Sequence, residues 1–159
     1  MLRKVFGAFA TGVTVVTVGG RAPHGMTANS FASVSLEPPL VLVCVDRDAV
    51  MHDRLVAAGS FAVSMLGADQ EGVARHFANR WRGSGMAQFD PVDWAPGGRT
   101  GAPLISGALA WLECGLWQTY DGGDHSIFVG NLLAIQRRQS QEALLFFGGR
   151  FHRLMEGGT

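Results

Sequence analysis

Charge is the scarcest property of this chain: only 16% of its 159 residues are Asp, Glu, Lys or Arg, and thirteen basic residues cancel thirteen acidic ones. A neutral chain has no global field with which to gather nucleic acid or an anionic membrane, so we read neither as a partner. Local arginines remain able to hold a small anion. Apolar residues reach 47%, and such a balance favours a surface partly covered by another subunit. Cysteine is nearly absent as well. Cys44 and Cys114 each lie inside an apolar run, where a small thiol packs well. A reduced cytoplasmic protein is the simpler reading, with a disulfide between them left open. No run approaches the ~18–20 apolar residues of a membrane-spanning helix. Arg3-Lys4 followed by Val5 to Val18 has the outline of a secretory signal, but Thr11, Gly12, Thr14 and Thr17 interrupt it.

Several chemical signatures are missing too. No G-x-G-x-x-G follows a strand and no phosphate loop ends in Lys-Ser or Lys-Thr, so the two standard nucleotide-binding loops are excluded. The histidines His24, His52, His76, His125 and His152 are scattered without C-x-x-C or H-E-x-x-H spacing, which argues against a metal site. No G-x-S-x-G elbow suggests a hydrolase.

What is present reads as strands. Leu2, Val5, Phe6 and Phe9 have helical spacing, and then Val13 to Val18 turns to β-branched density with Gly19-Gly20 as a turn. His24 to Pro39 returns as a strand that the prolines end, and Leu40 to Val45 suits the centre of a sheet. Asp48 is placed to cap a helix with Met51, Leu55 and Ala58 on one face, stopped by Gly59. Phe61 to Leu66 is a further strand, and Asp69 opens a helix with Val73, Ala74, Phe77 and Ala78 inward. Residues 80 to 103 are rich in Gly and Pro and read as a long loop carrying Trp81, a candidate cover for a site or a loop anchor. Ala108 to Tyr120, His125 to Arg137, Leu144 to Phe147 and Arg150 to Leu154 read as strands joined by short Gly or Gln/Ser turns, before a short polar tail. About seven strands with short connections and few helices predict one mainly β domain over 1–159, an antiparallel barrel with a few short flanking helices. Trp111, Trp117 and Phe128 are read as core or interface residues.

Two stretches carry the candidate chemistry. His24 to Pro39 has hydroxyl and amide side chains, Thr27, Asn29, Ser30, Ser33 and Ser35, between two apolar runs. That is a wall suited to a polar planar ligand, or else a polar edge strand. Asp121-Gly122-Gly123-Asp124-His125 joins two long strands, and is ordinary hairpin chemistry unless the histidine faces a ligand.

Together with Phe9-Ala10-Thr11-Gly12-Val13-Thr14-Val15-Val16-Thr17, Gly25-Met26-Thr27-Ala28-Asn29-Ser30-Phe31, Ser33-Val34-Ser35-Leu36, Pro38-Pro39, Phe61-Ala62-Val63, Phe77-Ala78, Gly107-Ala108-Leu109-Ala110, Cys114, Gly123-Asp124-His125 and Gly130, these stretches are ordered as in a known family. The sequence resembles, over nearly its whole length, the flavin reductase-like domain proteins, the short reductase components of two-component flavin-dependent monooxygenases. The resemblance implies a flavin-binding split barrel of Greek-key type and a homodimer. It implies hydride transfer from NADH or NADPH to FMN or FAD, and delivery of the reduced flavin to a separate monooxygenase. It assigns Met26, Thr27, Ala28, Asn29 and Ser30, continued by Ser33 and Val34, to the flavin ring and ribityl chain. Asp46, Arg47, Ala49 and Met51, with Phe77 and Arg80, are expected near the phosphate, and His125 with Asp124 near the nicotinamide. Phe151 is a further candidate for approaching the flavin. One position departs from the family pattern: the loop Asp48-Ala49-Val50-Met51 lacks the expected hydroxyl, so helix amides around Ala49 and Val50, with Arg47 or Arg80, would have to hold the phosphate. The alternatives are a flavin-bound enzyme resembling pyridoxamine phosphate oxidases, or a flavin-binding barrel without catalysis.

Overall fold

A computed structural model describes residues 1–139 and 142–154. Part of the Gln/Ser turn expected after Arg137, and the polar tail expected after Leu154, lie outside them. The chain runs α1 (Leu2–Gly7), β1 (Thr11–Gly12), β2 (Thr14–Val18), β3 (His24–Ala28), β4 (Phe31–Leu36), β5 (Pro39–Asp46), α2 (Val50–Ala58), β6 (Ser60–Met65) and α3 (Glu71–Ala78). A 3-10 turn (Gly85–Phe89), β7 (Trp94–Pro96), β8 (Pro103–Ile105), β9 (Ala110–Gly122), β10 (His125–Arg137), β11 (Leu144–Phe147) and β12 (Arg150–Arg153) follow.

The protein is mainly β and its strands pair antiparallel. Seven form one sheet in the order β3-β2-β6-β9-β10-β5-β4, and β1-β11-β12 and β7-β8 make two small ones. Among the described residues the large sheet does not close by hydrogen bonding. Its two edge strands are instead consecutive in the chain: Ala28 still pairs with Thr14 of β2, while Phe31 already pairs with Val43 of β5. Asn29-Ser30 therefore carries the chain from one edge of the sheet to the other. Val16 and Val18 from one side and Val41, Val43 and Val45 from the other meet in one core with Phe61, Leu112 and Phe128, all buried. A second core lies on the outer face of β2, where Val13 and Val15 pack with Leu66, Phe77, Phe89 and Leu144. Burial on both faces explains why β2 reads as nearly continuous β-branched sequence.

Several local expectations are corrected. The stretch from His24 to Pro39 is two strands rather than one, because neighbours on opposite sheet edges compete for its ends, and Pro39 begins β5, a first-residue position that needs no ladder donor. Asp48 does not cap α2: Asp46 Oδ1 accepts from the Asp48 amide at 2.8 Å, closing a turn, and the N-cap is Ala49, with no side-chain bond. Gln70, not Asp69, precedes α3. Ala58 and Ala78 are exposed, since Leu55 and Phe77 suffice to fill the contact of each helix with the sheet. The long loop has its own order, being pinned by buried Gln88 and Phe89 and by the β7–β8 hairpin. Leu2, Val5, Phe6 and Phe9 find no cover among the described residues and are exposed. No helix among the described residues is long and apolar enough to cross a membrane.

Candidate active site

A cleft of about 1060 Å³ lies between β3, the corner joining β5 to α2, the end of α3 and the segment that follows it. That volume is at the upper end for small-ligand pockets. His24, Met26 and Thr27 come from β3, Asp46 to Met51 (without Arg47) and Arg54 from the corner and α2, and Phe77, Ala78, Arg80, Arg82 and Gly83 to Gly85 from the far side. Four arginines, Arg21, Arg54, Arg80 and Arg82, face two aspartates, Asp46 and Asp48, so the cleft is locally basic in a neutral protein. The open N-terminus of α2 adds to this: no side chain caps it, and Ala49, Val50 and Met51 line the cleft. Uncapped first-turn amides and the positive end of a helix attract anions, although the Ala49 amide itself donates to the Asp46 carbonyl at 3.0 Å.

The outer edge of β3 is built to receive this segment. Its backbone groups, unpaired at a sheet edge, are taken by side chains: Gln88 Oε1 accepts from the Gly25 amide at 3.0 Å and Gln88 Nε2 donates to the Pro23 carbonyl at 3.2 Å. Arg82 donates to the Gly25 carbonyl at 2.6 Å and the Asn79 carbonyl at 2.7 Å, while its buried Nε has no partner among the described residues. Arg82 Nη2 also lies 3.1 Å from His24 Nε2. A guanidinium only donates, so the imidazole must offer a lone pair there and stay neutral. Burial, followed by the charges of Arg82 and Arg54, holds His24 down to about 4 from an ordinary 6.5.

A stability prediction follows. Between pH 6.5 and 4 the unfolded chain protonates His24 while the folded one does not, so stability is full above 6.5 and falls as the pH drops towards 4. Solvent screening at this partly exposed ring limits the loss to about 1–2 kcal/mol. Urea unfolding of wild type and His24→Asn at the two pH values should show the wild type losing that much more; parallel profiles would contradict it.

Of the residues singled out from sequence, Met26, Thr27, Asp46, Ala49, Met51, Phe77 and Arg80 line the cleft together. Thr27 Oγ1 donates to the Ala74 carbonyl at 2.6 Å, tying the wall to α3. Ala28 is buried in the core, and Ser30 Oγ is spent on the Cys44 carbonyl at 2.7 Å. Asn29 faces a second, smaller groove with Phe9 and Phe31, and Ser33 and Val34 lie exposed on edge strand β4. Phe151 packs on Phe146, with the Arg75 guanidinium 5.1 Å from its ring centre, away from the cleft. Arg47 points out of the cleft, to Asp121 at 2.7 Å and the Gly123 carbonyl at 2.9 Å. Sequence reasoning missed His24, Arg21, Arg54 and Arg82. The spacing Arg80-Trp81-Arg82-Gly83 in a glycine-rich loop was the available signal; Trp81 itself is 90% exposed.

His125 opens β10 directly opposite Asp46 of β5, and paired residues of antiparallel strands project to the same face. That pairing sets His125 beside Asp46, which lines the cleft, while His125 itself is not part of the lining. Asp124 Oδ1 lies 2.7 Å from His125 Nδ1, a hydrogen bond that holds the Asp124 carboxyl below its usual range. No group of three or more metal-ligating side chains occurs among the described residues.

The family model described as the flavin reductase like domain matches residues 6–155. The chain belongs to this family. It is similar to an NADH-dependent FAD reductase of Streptomyces globisporus, 61% identical across 96% of this chain and 84% of that protein. It is similar also to the solved flavin reductase component of a bacterial two-component tryptophan halogenase, 60% identical, with a TM-score of 0.94 and coverage of 98% of both chains. A reductase subunit of a flavin-dependent monooxygenase from Rhodococcus jostii is 33% identical over 94% of this chain and 74% of that one.

Proposed function

We propose that this chain is an NADH-dependent flavin reductase that hands reduced flavin to a separate flavin-dependent monooxygenase. The observation that carries the reading is the basic cleft, with His125 paired across the strands to Asp46 of its lining and bonded to Asp124. A bound flavin supplies the redox chemistry there, accepting hydride from a reduced nicotinamide. The protein's share is to bind and orient. Met26, Thr27, Met51 and Phe77 offer a mixed apolar and polar wall, and Arg54, Arg80, Arg82 and the first amides of α2 offer charge and donors to the phosphate end. The unpartnered Arg82 Nε fits such an acceptor. With Nδ1 engaged by Asp124, Nε2 is the ring nitrogen of His125 left to meet the carboxamide of the nicotinamide. The sheet is the split barrel of such proteins, and the exposed apolar side chains Leu2, Phe6 and Phe9 serve a homodimer in the cytoplasm.

Purified protein with free flavin in excess should oxidise NADH through many turnovers per chain, with FAD and NADH the first pair to assay. Flavin held tightly without turnover would favour an enzyme of the pyridoxamine phosphate oxidase type. Binding with nicotinamide oxidation at background would favour a non-catalytic barrel.

A further inference from the structure

The turn that carries His125 contains two consecutive glycines, Gly122 and Gly123, the latter at φ 77°. Glycines leave such a turn soft, so something outside it must set where His125 stands. The β5–α2 corner does so with three donors from one residue. The Arg47 amide donates to the Asp124 carbonyl at 3.0 Å, Nε to the Gly123 carbonyl at 2.9 Å and Nη2 to Asp121 Oδ1 at 2.7 Å. Asp121 Oδ1 accepts in addition from the Gly123 amide at 3.1 Å, so one carboxylate oxygen locks the turn internally and ties it to the corner. The other side of the corner is the cleft wall itself, Asp46, Asp48 and Ala49. A second tether lies beneath: His52 of α2 is 2.7 Å from Ser126 Oγ, next in the chain to His125.

We propose that Arg47 is a positioning residue for the reductase reaction, holding the Gly-Gly-Asp-His turn so that His125 meets the reductant. The proposal rests on the reading of His125 above. It gives Arg47 a task other than phosphate binding, for which its guanidinium points the wrong way. An ordinary surface ion pair, with side chains 44% and 84% exposed, would contribute little to stability and nothing to rate. The planar fork is what matters, since carbonyl and carboxylate are met by different nitrogens and an ammonium group cannot span both.

The test is pre-steady-state reduction of flavin by NADH, with flavin affinity measured separately by fluorescence. Arg47→Met should slow reduction about ten-fold with flavin affinity within about two-fold, and Arg47→Lys should recover only part of the rate. Asp121→Ala should match Arg47→Met, and the double variant should be no slower than either. In the His125→Ala background, Arg47→Met should add nothing. An Arg47→Met variant that reduces flavin at the wild-type rate, that loses mainly flavin affinity, or that slows the His125→Ala enzyme by the same further factor overturns the proposal. If His125→Ala alone leaves the rate unchanged, the reading of His125 fails and this proposal fails with it. If His125→Ala is slow and Arg47→Met is not, only the role of Arg47 is lost.

Discussion

His125→Ala is expected to slow flavin reduction about ten- to hundred-fold while leaving flavin affinity within a few-fold. His125 is not among the residues that line the cleft, so its removal should leave the flavin's own contacts there in place. In the proposed reading, what it removes is the group that orients the second reactant. Hydride transfer depends steeply on the distance and angle between donor and acceptor carbons, so loss of one orienting bond is felt in rate. Asp124→Asn should have a smaller effect of the same kind, because an amide oxygen can still accept from Nδ1–H but stabilises the donor less. Stopped-flow reduction of the His125→Ala protein at the wild-type rate would refute the role.

The second large effect concerns folding. Gly130→Val should lower stability by about 3 kcal/mol, read as a shifted urea midpoint with unchanged cooperativity. A Cβ at this position would meet Phe61 Cζ at 2.6 Å and Cys114 Cβ at 2.8 Å. Both neighbours are fully buried, and Cys114 Cβ is fixed to the backbone of β9. Gly130 sits where the β9–β10 register shifts, between β5 and β9 at the middle of the large sheet, so β10 cannot move aside without breaking two ladders. The single added carbon of Gly130→Ala should cost less than valine. A valine variant unfolding with the wild-type midpoint would show that the core yields at this point.

The positions of most strands were legible from the chain, because apolar β-branched runs bounded by glycine and proline leave little choice. The segment from His125 to Arg137 was bounded correctly at both ends, and Leu144 to Phe147 likewise. Helix starts were less legible. Asp48 and Asp69 have the right chemistry for caps, yet a competing turn through the Asp46 carboxylate and the position of Gln70 displaced them. The candidate site was legible where a residue's neighbours in sequence also line the cleft, as at Met26 and Thr27. It was illegible for Asn29, because no local pattern announces that the chain changes sheet edges at Asn29-Ser30.

The chain by itself determined that this is a weakly charged, mainly β protein with a polar stretch at His24 to Pro39 and a Gly-Asp-His turn, since those properties reside in residue types and their spacing. Tertiary structure alone decided that Arg21, Arg54, Arg80 and Arg82 converge on one cleft. Burial and neighbouring guanidinium charge, not its place in the sequence, made His24 a neutral acceptor for Arg82. The same holds for Arg47: beside two aspartates it reads as a charge for a phosphate, and only the strand pairing that brings Asp121 and Gly123 against the corner turns it towards the histidine. Charge belongs to a residue, but the direction in which it acts belongs to the fold.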